Sequence, residues 1–230
     1  MSTAKRAPAS RAKAKNTHVD KENTHSVSSG NPCPFLRALV ASGHIDGHQE
    51  PLAHIKDVVA AARGGTVLTA QATGLASGVI ALFANGFAPT QMLHNLTGGF
   101  AADALRGGPL DKQGAGSGIL DAQGQVNTDQ LDRLDTFALD KTDVAGATER
   151  GLGAEQLKTM MDANFARAAG ARRLVDRALM DGEWPVLLLV MGKPSADGAY
   201  LSVTELRTLF VQQRLPQRVL ARLDGGSGLA

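Results

Sequence analysis

From Gly64 to Ala102 the chain carries no Asp, Glu, Lys or Arg, an uncharged run of 39 residues in a protein of 230. Two settings hold such a run: a membrane span or the interior of a helical core. A spanning helix needs about 20 predominantly apolar residues in succession. Here glycines and Pro89 interrupt the run, and Thr, Gln and Asn dilute it. Its best apolar piece, Leu75 to Phe87, is too short to cross and reads as a helix buried in the core. No membrane span is expected.

Aromatic residues make up only 4% of the chain, with one Trp and one Tyr, whereas Ala and Leu abound. Strands favour β-branched and aromatic side chains, so this bias argues for helices. Apolar residues recur at helical spacing in several places. Phe35, Leu36, Leu39 and Val40 mark a first helix ending near Gly43. Leu52, Ile55, Val58 and Val59 mark a second, stopped at Gly64. Leu131, Leu134, Phe137 and Ala138 mark a third, capped by Asn127 or Thr128. A long helix starts at Leu157, Met160, Met161 and Phe165 and continues through Leu174, Val175 and Leu179. Pro185 opens a short apolar helix, Val186–Met191. Ser202-Val-Thr-Glu205 matches a capping box ahead of Leu206, Leu209 and Phe210. The glycine-rich stretches 106–118, 145–153 and 192–199 read as connections, and no alternating strand of useful length stands out. The expected fold class is all-α, a single compact helical domain over residues 31–223. A disordered basic tail, 1–30, precedes it and a flexible C-terminus, 224–230, follows.

Charge divides the chain unevenly. Residues 1–29 hold six basic side chains against Asp20 and Glu22, net +4, and the remainder sums to −2. Lys and Arg of the body are interspersed with carboxylates, so no nucleic-acid face is expected. The tail has no 7–15-residue apolar stretch of the kind a secretory signal needs. The first nineteen residues lack acids, as transit peptides do, but a solvated tail and a cytoplasmic location are the preferred reading. A single cysteine, Cys33, excludes an internal disulfide and a cysteine-based zinc cluster.

Cys33 sits between Pro32 and Pro34, directly before the first helix. Pro34 suits the first helical position because its missing N–H would lack a partner there anyway. Cys33 then caps the helix, with the N–H groups of Phe35, Leu36 and Arg37 and the positive end of the helix dipole near its sulfur. That setting stabilises a thiolate. It also suits an axial haem ligand, whose hydrogen bonds tune the iron. A lone cysteine near a helix start is equally compatible with an inert thiol.

Pro32-Cys33-Pro34-Phe35-Leu36-x-x-Leu39-x-x-x-Gly43-x-Ile45 resembles the opening of the haem-thiolate peroxidases, the chloroperoxidase and unspecific peroxygenase family. Leu201-Ser-Val-Thr-Glu-Leu206-Arg-Thr-Leu209-Phe210-Val-Gln-Gln-Arg214-Leu215-Pro216 is similar to that family's closing helix. The two segments cover about a fifth of the chain. The resemblance implies a short relative of that fold, with haem b bound through iron to the sulfur of Cys33. Pro34, Phe35 and Leu36 then belong to the cofactor-binding motif. It also implies peroxide-dependent oxidation of small apolar or aromatic molecules, with hydrogen peroxide as co-substrate.

Such chemistry needs an acid–base group above the iron. The family uses a Glu in a His-Gly-x-x-Glu segment. Laid without gaps on Ser117 to Gln125, that segment keeps the glycine as Gly118 and replaces the Glu by Asp121. The family's His becomes Ser117, its Asp becomes Gln123, and its magnesium-binding Ser becomes Gln125, which argues against magnesium here. Some members pair a distal His with the Glu, which makes His94 the second catalytic candidate. Leu82, Phe83, Phe87, Ile119 and Leu120 are candidate cavity residues, and equally candidate core. Arg37, Arg63, Arg106, Arg150 and Arg214 are candidates to pair with haem propionates through guanidinium forks.

Rival readings share some of these residues. Leu120–Val126 and Ser195–Leu201 look like calcium loops, but Ile119 and Lys193 occupy the first ligand position, where an oxygen is required. His44, His48 and His54 near Glu50 match no zinc spacing. A non-catalytic helical interaction module, a haem-binding sensor with an eroded distal site, and a thiol redox sensor are the alternatives.

Overall fold

The computed structural model describes residues 25–86, 88–108, 111, 116–170 and 173–226. Most of the expected disordered tail, and Phe87, lie outside them. Helices α1 (Pro34–Ala41), α2 (Leu52–Arg63), α3 (Val67–Phe83) and α4 (Pro89–Gly98) come first. A loop region leads to the short helices α5 (Thr128–Asp132) and α6 (Leu134–Phe137). Then follow strands β1 (Leu139–Thr142) and β2 (Thr148–Gly153), helices α7 (Ala154–Arg167) and α8 (Leu174–Met191), strands β3 (Lys193–Ser195) and β4 (Gly198–Ser202), and helices α9 (Val203–Gln212) and α10 (Gln217–Gly226).

The fold is therefore mixed α/β, which corrects the all-α expectation. The four strands form one antiparallel sheet in the order β1-β2-β4-β3. Two of the stretches read as glycine-rich connections are in fact its hairpins. Asp143 Oδ1 accepts from the N–H groups of Ala145 and Ala147 at 2.9 and 3.0 Å and so closes the β1–β2 turn around Gly146, at φ +86°. Gly198, at φ +104°, closes the β3–β4 turn. The strands are too short to show an alternating pattern, and their stability comes from cross-strand neighbours instead. Gly151 faces the Tyr200 ring so closely that a Cβ there would lie 2.4 Å from a ring carbon. Leu152 and Leu201, paired across β2 and β4, are fully buried on the core side.

Five helices fall where periodicity placed them: α1, α2, the α5–α6 pair and α9. Gly64 terminates α2 at φ +63°, Asn127 caps α5 by accepting from Gln130 N–H, and Ser202 caps α9 by accepting from Glu205 N–H. The expected long helix from Leu157 to Leu179 is broken into α7 and α8. The fully buried Asp176 carboxylate accepts from the Arg173 N–H at 2.7 Å and from its guanidinium, which starts a new helix at Leu174. Pro185 lies inside α8 instead of opening a helix. The proline removes one backbone hydrogen bond, at roughly 3 kcal/mol. Burial of Met180, Trp184, Leu187 and Met191 along one face offsets that loss.

The uncharged α3 also departs from expectation. Its Leu68, Leu75 and Ile80 are 78%, 64% and 47% exposed, so it is not the buried core helix the sequence suggested. Ser28 to Gly30, expected in the tail, are hydrogen-bonded to the body, and Asp224 to Gly226 belong to α10. No described helix is long and apolar enough to cross a membrane.

Glu149 on β2 ties the sheet together. Its Oε1 accepts from Tyr200 OH at 2.9 Å and from Lys193 Nζ, and its Oε2 accepts from Ser202 Oγ at 2.6 Å. Burial pushes the carboxyl pKa up, but the hydrogen bonds from Lys193, Ser202 and Tyr200 outweigh it and hold the pKa below the usual value. A depressed carboxylate stabilises the fold above its unfolded pKa and loses that contribution as pH falls through its folded value. Urea unfolding of wild type and Glu149→Gln should therefore differ most near neutral pH. The two should converge as pH falls below about 4, the ordinary carboxylate range.

Candidate functional site

The local frame of the site is set by Arg37 on α1, which is only 5% exposed. Its Nη1 donates to the carbonyls of Ser28 and Asn31 at 2.9 and 3.2 Å, and its Nη2 to the carbonyl of Gly124 at 3.4 Å. One guanidinium thus joins the segment before Cys33 to the loop after Asp121. Burial, followed by the charge of Arg106, lowers the proton affinity of Arg37, while Asp103 acts in the opposite sense. Gly124 has φ +73°, and a Cβ there would stand 3.1 Å from Arg37 Nη1. Glycine permits both the turn and the close approach.

Cys33 occupies the N-cap position of α1, and Pro34 is its first residue. Asn31, fully buried, accepts from the Cys33 N–H at 3.1 Å through Oδ1 and fixes the turn into the helix. The Cys33 carbonyl takes the N–H of Arg37 at 2.9 Å. That leaves the Phe35 and Leu36 amides as the first-turn donors without an intrahelical acceptor. The Cys33 side chain itself makes no capping hydrogen bond.

Cys33 opens onto a cavity of about 860 Å³. That falls within the range of roughly 300–1,000 Å³ typical of small-molecule and cofactor sites. Pro34, Phe35, Leu36, Leu120 and Asp121 line the same cavity. Cys33 and Asp121, 88 positions apart in sequence, therefore line one cavity. Ile119 is fully buried in the core and is not part of the lining. Leu82 and Phe83 lie on α3, but their side chains are outside the described residues. His94 is exposed on α4 and lies away from the cavity.

Asp121 is exposed at the cavity rim. Its Oδ1 accepts from the N–H groups of Gln123 and Gln125 at 2.9 and 2.7 Å, and so closes the Gly124 turn. The turn that looked like a calcium loop is thus held by its own aspartate. Among the described residues no group of three or more His, Cys, Asp or Glu is placed to hold a metal ion.

Two further acids line the cavity, Asp111 and Glu183. Asp111 Oδ2 accepts from Gly107 N–H at 2.6 Å. Glu183 is half-buried on α8, where Leu179, Gly182, Val186 and Val190 also face the cavity. Sequence reasoning missed Glu183 because α8 was divided at Pro185. Read as one continuous helix, it shows Glu183 on a face that is otherwise apolar beyond Asp176 of the first turn.

Of the five candidate arginines, Arg106 alone lines the cavity. Its Nε donates to the Ser29 carbonyl at 3.0 Å, and its Nη2 is buried with no acceptor. Haem b requires an iron ligand, apolar walls and partners for its carboxylates. A thiol at a helix start, a largely apolar cavity and a guanidinium with a spare donor fit those needs. No family model, curated protein or solved structure matches this chain.

Truncating Arg37 to Ala removes the guanidinium donor from three carbonyls, of which that of Ser28 keeps the Asn31 N–H. It should cost about 3 kcal/mol in urea unfolding, in line with hydrogen bonds to a charged group. Arg37→Lys should recover less than half of the loss, because an ammonium cannot reproduce the planar fork.

Proposed function

We propose that the protein binds haem b through Cys33 and uses peroxide to oxidise small apolar or aromatic molecules. The observation that carries this reading is the meeting of Cys33 and Asp121 on one apolar cavity, since each was singled out from a different part of the sequence. Bound iron porphyrin would supply cleavage of the peroxide O–O bond, which thiolate ligation favours. Cys33 would hold the iron from the start of α1, where Asn31 and Arg37 fix its place. Arg106 would pair with a carboxylate of the cofactor through its spare nitrogen. Leu36, Leu120 and Val186 exclude water and favour an apolar substrate. Asp121 takes a proton from one peroxide oxygen and returns it to the other, using Oδ2, the oxygen its turn does not engage.

The commitment of Asp121 Oδ1 to its own turn favours a second reading, in which haem is bound without turnover. Haem titration of wild type and Cys33→Ala separates these from a haem-free module. The expected result is about one haem per wild-type chain, a red-shifted Soret band in the reduced carbon-monoxide complex as thiolate ligation gives, and loss of both in the variant. Equal, negligible loading of the two proteins would refute the proposal.

With haem loaded, Asp121→Asn should lower peroxide turnover about 100-fold, the lower range for a general acid–base group, and leave loading unchanged. Glu183→Gln should leave turnover within about twofold. The reverse pattern would assign the proton transfer to Glu183. Loading without turnover in the wild type would favour the second reading.

A further inference from the structure

Among the described side chains, helices α3 and α4 are inside out. On α3 those turned to α2 are small or polar. Thr73 is 7% exposed, and Gly74 lies so near α2 that a Cβ would meet the Lys56 carbonyl oxygen at 2.4 Å. Leu68 and Leu75 point to solvent instead. On α4 the fully buried residue is Asn95, whose Nδ2 donates to the Ala81 carbonyl at 3.4 Å, while Leu93 and Leu96 are 60% and 64% exposed. Each exposed pair is spaced at one helical turn or two, so each forms a stripe along its helix.

In water this arrangement is unfavourable, because bulky apolar side chains gain by burial and polar ones by exposure. It is the pattern of helices that face hydrocarbon, where close packing through small residues and internal pairing of polar groups hold helices together. The same two helices carry no Asp, Glu, Lys or Arg, so nothing charged resists their transfer to an apolar phase. At 17 residues α3 is about 25 Å long, short of the ~30 Å hydrocarbon core, which fits a helix lying at the surface of a bilayer and not one crossing it.

We propose that the α3–α4 hairpin seats on the surface of an anionic lipid bilayer. The net charge of +4 on residues 1–29 complements such a surface and adds the second, electrostatic contribution that stable peripheral binding needs. Exposed Ile80 on α3 also lines the cavity, together with Ser77, Ala81 and Ala84. This proposal stands independently of haem binding.

Flotation of the full chain with vesicles tests it. Vesicles of phosphatidylcholine containing about a quarter phosphatidylglycerol should carry the wild type up the gradient, and pure phosphatidylcholine should carry less. Leu68→Glu with Leu75→Glu should lower the bound fraction at least tenfold, as should Leu93→Glu alone on the second helix. All three side chains are exposed, so circular dichroism and thermal unfolding should match the wild type. Three results would overturn the proposal. The first is no flotation of the wild type. The second is flotation that the glutamate variants leave unchanged, since the tail alone would then account for binding. The third is a wild-type dimer by light scattering that the variants dissociate, which would make the face a contact between two copies.

Discussion

The geometry of the cavity depends on one buried cation. Arg37 places a guanidinium among the carbonyls of Ser28, Asn31 and Gly124, and so ties the turn before Cys33 to the loop after Asp121. A buried charge costs several kcal/mol unless it is well hydrogen-bonded, so the carbonyls must converge on it for the fold to persist. Cys33 follows Asn31 by two residues and Asp121 precedes Gly124 by three. The positions of both cavity residues are thus consequences of satisfying Arg37, with Asp103 supplying nearby negative charge.

Around that frame the molecule uses two kinds of packing. The sheet, with α7 and α9 against it, buries leucines such as Leu152, Leu201, Leu206 and Leu209 in the ordinary manner of a protein in water. The α3–α4 hairpin works differently. Among its described side chains it packs through glycine and hydrogen-bonded asparagine and leaves Leu68, Leu75, Leu93 and Leu96 outside. The cavity lies between these regions, with α3 contributing one wall and α8 another.

Much of the helical structure was legible in local sequence, because amphipathic spacing and caps act within a few residues. Cys33 at the start of α1 followed from Pro34 alone, and Gly64 and Ser202 marked helix ends through their backbone and side-chain chemistry. The sheet was hidden for the opposite reason. A strand such as Lys193–Ser195 has too few residues to carry a period, and its partner Gly198–Ser202 only becomes visible once paired. Asp121 was singled out only through the resemblance of Ser117–Gln125 to a family segment, and its hydrogen bonds to its own turn were not anticipated. Glu183 escaped notice because a proline normally ends a helix, and here packing along α8 overrides that preference.

By itself the sequence determined the chemistry on offer: one thiol at a helix start, an aspartate in a glycine turn, an uncharged 39-residue run and a basic N-terminal segment. These are properties of residue type and short spacing, and no distant contact alters them. Tertiary structure alone decided that the thiol and the aspartate share a cavity, that His94 stands apart from it, and that the uncharged run turns Leu68, Leu75, Leu93 and Leu96 outward. Each of those outcomes depends on which groups meet across long stretches of chain, and local periodicity holds no information about that.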